Sequence, residues 1–600
     1  MRATACLLCL GAIVCSAQPA AKHRILFNRF RVPESALFIA DADGKNERRL
    51  TTHGESEYSP SLSLNGNWVA FTSERMGQAD IYRVHPDGTG LEQLTNDPAF
   101  DDQAALSPDA GTLAFVSTRG NGHANIWLLE IASKKLRNLT NGSSGNFRPS
   151  WSPDGKWIAF SSDRDSDPGT IPFHWEHMQS LGIYVVRPDG SGLRRLTRTG
   201  GVAGSPTWSA DGKKILYYET DELGAYMAKN AQSRIDIVSI DVATGKKTGY
   251  TASNETKFAP QWLPDGRISY VVRSNAADAE GLRVWYPDRR VVAIAKGMIR
   301  HSTWTADGKQ VIYDRILQPA STQRMVPTFS RDPDFELFLN EPFPSFSPDG
   351  RKLLYSFQAG NGTNPVDTSI EVMNADGTGI TTLFRKEGYS AYNAVWSPSG
   401  DEVALSVGHF FRSPGLPAAP IALVKSDGSG YREVVDDGVN NGFPSWAPDG
   451  KRLVYRHGKQ LMILTLAEGK SVPLTDGSHY DNFPQWSPKG DSIMFTSDRA
   501  GDFQIFTMRL DGTGIRQLTN EGINAHSVWS PDGEWVAFTS GRKGFKDEMA
   551  LNDREPQPYG EIFAMRPNGS DVRQLTDNKW EDATPCWAPE VKAPATASRR

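Results

Sequence analysis

Arg148-Pro-Ser-Trp-Ser-Pro-Asp-Gly-Lys-Trp-Ile-Ala-Phe-Ser-Ser-Asp-Arg164 decides the fold. Two β-rich runs flank Pro153-Asp154-Gly155, and Asp-Gly between such runs is the strongest short-range hairpin signal, because Gly takes a positive φ without steric cost and Asp tolerates it. The segment recurs from Ser205, Ala259, His301, Phe343, Asn393, Phe443, Phe483 and Ser527, more weakly from Ser59 and Gln103, and in truncated form from Ala583. These are twelve first strands. The second half of each unit reads like Gly182-Ile-Tyr-Val-Val-Arg-Pro-Asp-Gly-Ser-Gly-Leu-Arg-Arg-Leu-Thr197 and returns at Ala79 to Thr95, Phe503 to Thr519 and Glu561 to Thr576.

A unit therefore holds four strands: A (Pro-Ser-Trp-Ser), B (Trp-Ile-Ala-Phe-Ser), C (Ile-Tyr-Val-Val) and D (Leu-Arg-Arg-Leu-Thr). Tight turns join A to B and C to D, which makes an antiparallel meander. One such sheet is marginal alone, whereas sheets packed face to face around an axis bury both faces and leave only short edges. The expectation is an all-β β-propeller of about twelve four-stranded blades, most simply two six-bladed propellers, with divisions such as seven plus five left open by the sequence. The Trp at 151, 208, 262, 304, 396, 446, 486, 529 and 587 reads as a packing layer between blades.

These repeats resemble those of TolB-like β-propellers and of the propeller domain of prolyl-oligopeptidase-type peptidases. The resemblance spans nearly the whole chain after its first residues. It implies a propeller fold and, from the TolB side, contact with envelope proteins. It departs from TolB in its doubled repeat set and in having no room for the small α/β domain that precedes the propeller there.

The first residues, through Ser16-Ala17, combine one positive charge, an apolar run and a small-residue end, which reads as a signal peptide over residues 1–17 and a periplasmic or secreted protein. The run is shorter than the roughly 20 residues a spanning helix needs, and no later segment reaches that length, so no transmembrane segment is expected in the mature chain. Val14 before Cys15 does not suit a lipid-attachment site. Cys6, Cys9 and Cys15 would leave with the leader, and Cys586 alone forms no internal disulfide. A net charge of −5, with Lys and Arg dispersed, disfavours a nucleic-acid partner.

His23 to Thr51 supplies B, C and D runs without an A, and Ala583 to Pro589 an A without the rest. The reading is that residues 23–51 complete the last blade of the second propeller, with the first propeller over 52–340, the second over 341–590 and a tail over 591–600. The repeat is weakest near Ile316 to Glu341.

In an A-B-C-D meander, B to C loops and D to A connections share one end of the ring. The long insertions, 163–181, 220–233, 408–418 and 541–559, are all B to C loops, so that end is the expected binding face. In the first of them His174, Glu176 and His177 stand among aromatics, residue types that hold metals or move protons, though at no recognised ligand spacing. The 541–559 loop, dense in alternating charge, reads as solvated. The D to A connections offer Asn440, Asn441, His479, Asp481, Asn482, Asn524, His526, Glu581 and Asp582 from four consecutive units. Convergence of such residues would build a ligand site, with His479 and His526 as candidate ligands of a divalent metal; no cofactor is otherwise evident.

No Gly-x-Ser-x-Gly elbow, phosphate-cradling Gly-x-x-x-x-Gly-Lys-Ser/Thr loop or His-Glu-x-x-His occurs, and the missing elbow removes the peptidase reading. Two functions remain: an interaction or ligand-binding scaffold for an envelope or extracellular protein, and a carbohydrate-active enzyme or glycan binder with a polysaccharide partner, as in propeller-type polysaccharide lyases.

Overall fold

The structure, a computed structural model, describes residues 23–29, 34–52, 56–165, 180–221, 233–274, 279–317, 325–358, 368–408, 418–543, 548 and 560–588. The leader, the tail from 589 and most of the four long B to C loops lie outside the described residues, His174, Glu176 and His177 among them. Forty-eight strands form twelve four-stranded sheets, with no helix among the described residues.

The Ser-Pro-Asp-Gly turn shows why each unit starts as it does. Ser152 Oγ donates to Asp154 Oδ1 at 2.7 Å and accepts from the Trp157 N–H at 2.9 Å, while Gly155 sits at φ +69°. Hairpin A–B is thus closed by one serine side chain, bonded to a carboxylate two residues on and a backbone N–H five residues on, and the same serine–aspartate pair recurs at Ser107, Ser209, Ser347 and Ser530. Strand B is the core element: Ile158–Ser162 is buried throughout. Strand D is short and exposed, which keeps the outer edge a poor template for pairing.

The Trp layer staples neighbouring sheets. Trp208 Nε1 donates to the carbonyl of Ser150, the residue before Trp151 in the preceding unit, at 3.1 Å. Trp446 to Val395 and Trp587 to Val528 repeat the contact at 3.2 and 3.1 Å.

Packing between sheets follows two successions. One runs through the sheets whose strands A are Glu57–Leu62, Asp101–Leu106, Asn146–Trp151, Val202–Trp208, Thr256–Trp262 and Ile299–Trp304, and the last packs against the first. The other runs through Ser345–Phe346, Ser390–Trp396, Asn441–Trp446, Asp481–Trp486, Asn524–Trp529 and Asp582–Trp587, and likewise returns to its start. We call these the first and second sets.

The N-terminal strands correct the sequence reading. His23–Arg29 does enter the last sheet of the second set, antiparallel to Asp582–Trp587. Ser35–Asp41 and Arg48–Arg49 do not follow it; they pair with Gln310–Ile316 and complete the sheet of Ile299–Trp304 in the first set. The hairpin from His301 lacks C and D strands of its own, and these residues provide them. The remaining places beside His23–Arg29 are filled by Phe335–Asn340 and Val326–Thr328, so residues before 341 also belong to the second set. Phe335–Asn340 runs parallel to His23–Arg29, because its chain arrives through strand D before strand C.

Candidate functional site

Most polar residues at the D to A connections are tied into the scaffold. Five sheets carry the same clamp: Arg75, Arg119, Arg164, Arg499 and Arg542 each donate from Nε to the Ser two residues earlier, at 2.8–3.1 Å. Each guanidinium stacks over a strand B Phe and a strand C aromatic ring, 4.6–5.9 Å from the centroids. Its Nη2 then reaches the first residue of strand A: Glu57, Asp101, Asn146, Asp481 or Asn524. Asp481 and Asn524 are therefore held by Arg499 at 2.8 Å and Arg542 at 3.0 Å.

The other sequence candidates are equally occupied. Asp582 accepts both Arg29 nitrogens, at 2.6 and 2.8 Å, beside half-buried Glu581. Asn482 Oδ1 accepts the Phe483 N–H, Asn441 bonds His457 and Asp437, and Asn440 accepts the Ala419 N–H. His479 is exposed, 3.6 Å from Asp498. His526 stands elsewhere, its ring 4.3 Å from that of Phe483 and 6.3 Å from that of Phe343. The two candidate metal ligands are not brought together, and no group of three or more metal-ligating side chains forms among the described residues.

What converges instead is the residue three places before the repeat Trp. In eleven of the twelve units it is a non-glycine residue at φ between 47° and 58°. Strand A carries one extra residue there, a β-bulge: Phe147 pairs with Ser161, and the register resumes only at Ser150 with Ala159. A left-handed non-glycine residue costs about 1–2 kcal/mol, so eleven of them mark a backbone imposed by the architecture. The bulge turns the N–H aside from the ladder, and side chains satisfy it: Gln103 N–H reaches Asp102 at 2.6 Å, Arg148 N–H reaches Gln103 Oε1 at 2.8 Å and Phe343 N–H reaches Thr584 Oγ1 at 3.2 Å.

These residues wall two axial cavities. In the first set Ser59, Gln103, Arg148, Ser205, Ala259 and His301 line a cavity of about 370 Å³. In the second set Phe343, Asn393, Phe443, Phe483, His526 and Thr584 line one of about 410 Å³. Both extend along strand A to the prolines of the A to B turns, the end opposite the D to A connections. In the first, five of these six residues carry polar side chains; the second is closed by Phe343, Phe443, Phe483 and His526 in ring-to-ring contact. Burial lowers the His526 pKa to about 4, so the imidazole is neutral at neutral pH.

Of the sequence candidates among the described residues, only His526 lines either of these two cavities. The others were missed although a signal existed: this is the position that changes type from unit to unit while its neighbours repeat.

The D to A end, by contrast, joins the two sets. Lys579 lies 3.6 Å from Asp102 and 3.7 Å from the Tyr58 ring centroid, and Trp580 Nε1 donates to Glu74 at 3.2 Å. From the 541–559 loop, Glu548 is buried against Ser161, Ser205 and Tyr218 of the first set.

Residues 372–593 match the family described as TolB beta propeller domain. A protein TolB homolog of Chlorobium luteolum is 30% identical over 155 residues, 26% of this chain and 32% of that protein. The Tol-Pal system protein TolB of an Anaeromyxobacter species is 29% identical over 29% of this chain and 39% of its own length, so the chain spans well under half of either relative. The crystal structure of TolB from Acinetobacter baumannii covers 47% of this chain and 63% of its own at 18% identity, with a TM-score of 0.33. Repeat, strand pairing and family match agree on a chain of four-stranded propeller-type units whose second half is similar to the TolB beta propeller domain.

Proposed function

We propose that this protein is an exported scaffold of the cell envelope, built as two six-bladed propellers, which holds a protein partner at the open ends of its axial cavities. The observation that carries this reading is the pair of cavities, each walled by six strands A and each free of the arginine clamps. Insertion of a side chain or short segment into a preformed cavity on a rigid β scaffold costs little reorganisation. The closed succession of six sheets in each set supports the propeller count. The leader-like first residues and the TolB relatives support export and an envelope partner. The alternative, a carbohydrate-active enzyme or glycan binder using the loop face, draws less support: Asp481 is held by Arg499 and His526 packs against Phe483.

Cell fractionation with mass analysis of the purified protein tests export; a full-length protein retained in the cytosol overturns it. A photo-crosslinking residue at Leu64, on the rim of the first cavity, should give one discrete adduct with an envelope protein, and the same residue at outer-edge Leu136 should not. Equal labelling from both positions would remove the cavities from the proposal.

A further inference from the structure

Glu548 reaches the first set from the second and is only 5% exposed. Its Oε1 accepts the Ser205 N–H and the Ser161 hydroxyl, each at 2.5 Å. Its Oε2 accepts the Ser205 hydroxyl at 2.8 Å and the Tyr218 hydroxyl at 3.3 Å. The four donors come from three strands of two adjacent sheets, and Ser161 and Tyr218 are fully buried. Gly204 leaves the space: a Cβ there would stand 2.3 Å from the Tyr218 oxygen and 2.8 Å from the Glu548 carboxyl carbon.

The donor set has a demand of its own. At Gln103, Arg148 and His301 the inward N–H is satisfied by side chains of the first set, whereas at Ser205 the acceptor comes from the other set. Without the Glu548 carboxylate the part-buried Ser205 amide and hydroxyl would lose up to about 1–3 kcal/mol each, while Ser161 Oγ also donates to the Phe147 carbonyl at 3.4 Å, so the pocket favours a two-oxygen acceptor wherever it comes from. Ser205 also lines the first axial cavity, which places this pocket at the cavity's inner end.

We propose that Ser161, Ser205 and Tyr218 form a carboxylate-binding site, filled by Glu548 within the chain, which takes an acidic group of a peptide partner in its place. The proposal deepens the scaffold reading by naming the chemistry of the partner. Its test uses purified full-length protein, so failure of export or of the envelope partner leaves the outcome unaffected. As a tethered occupant Glu548 competes at an effective concentration on the order of millimolar, and removing it should strengthen binding of a free carboxylate at least tenfold.

The probes are acetyl-Gly-Gly-Glu-Gly-Gly-amide, its Gln counterpart, and acetyl-Gly-Gly-Gly-Gly with a free carboxyl end, followed by ligand-observed NMR. Glu548→Ala should bind the Glu peptide at least tenfold more tightly than wild type and ignore the Gln peptide. Tyr218→Phe or Ser161→Ala added to Glu548→Ala should each lower that affinity about tenfold. If the free-carboxyl peptide binds as well, the site reads a chain end; if only the Glu peptide binds, it reads an acidic side chain. Equal binding of the Glu and Gln peptides, or no binding to a variant that keeps the wild-type unfolding transition, overturns the site. Should Glu548→Ala not fold, Glu548→Asp, whose carboxylate is one methylene too short to meet all four donors, serves under the same criteria.

Discussion

The hydroxyl of Thr118 donates to the Asp577 carboxylate at 2.6 Å, joining a sheet of the first set to the connection that leads into the last strand of the second. Arg331 donates to the same oxygen at 2.7 Å. Burial, offset by Arg331 and reinforced by the charge of Asp101, raises the Asp577 pKa to about 6. Burial likewise lifts Asp101 to about 6, against the pull of Arg119, and Asp80 to about 7, helped by Asp101. Glu561, facing Asp582 and Asp577, is raised as well, chiefly by burial.

A carboxyl whose folded pKa lies above its unfolded value stabilises the fold at low pH, and that contribution is lost as pH rises through the folded value. For Asp577 the window is pH 4 to 6. Asp577→Asn cannot lose a proton, so its stability relative to wild type should rise by on the order of 1–2 kcal/mol between pH 4 and pH 7. Paired thermal unfolding curves across that range measure it, and a pH-independent difference would show that Asp577 does not titrate there.

His526 has the opposite sign. Its folded pKa of about 4 lies below the ordinary 6.5, so the folded state binds fewer protons and loses stability as pH falls from 6.5 toward 4. Phe is already used at the equivalent positions 343, 443 and 483. His526→Phe should therefore gain on wild type as pH falls through this window; a gain that is the same at pH 7 and pH 4.5 contradicts the burial of a neutral imidazole.

The clamps make a graded prediction. Asn146 and Asn524 hold the same arginine position that Asp481 holds. Asp481→Asn should cost less than about 1 kcal/mol, whereas Asp481→Ala takes the carboxylate from Arg499, leaving it Ser497 alone as acceptor, and should cost about 3 kcal/mol. Urea unfolding distinguishes them, and equal losses would show that the clamp adds nothing specific.

Trp208→Phe removes the indole donor to Ser150 while keeping an aromatic ring between the sheets. The expected loss is about 1–2 kcal/mol, from an unmet carbonyl and a smaller ring. Trp262, whose Nε1 has no hydrogen-bond partner, should lose less on the same change.

The repeat was legible because its signals are local. Ser152, Asp154, Gly155 and Trp157 interact within five residues, so turn, register and sheet count can all be read along the chain. Closure was not. His23–Arg29 and Ser35–Asp41 each look like a strand, but their neighbours Phe335–Asn340 and Gln310–Ile316 lie some three hundred residues away, and a β pattern specifies a face rather than a partner. The polar D to A residues misled for a related reason. Asp481 looks unpaired until Arg499, eighteen residues later, folds back on it. Glu548 sat in a charge-dense loop read as solvated, and its partner Ser205 is 343 residues earlier.

The placement of His23–Arg29 and Ser35–Asp41 in different sets governs the order of assembly. These segments are made early, yet their neighbours Gln310–Ile316, Phe335–Asn340 and Asp582–Trp587 emerge only after half, or nearly all, of the chain. Neither set can complete its perimeter during the early part of synthesis, and contacts of such long sequence separation form slowly. The export proposed above would gain from that delay, because neither set can close while its partner strands are missing.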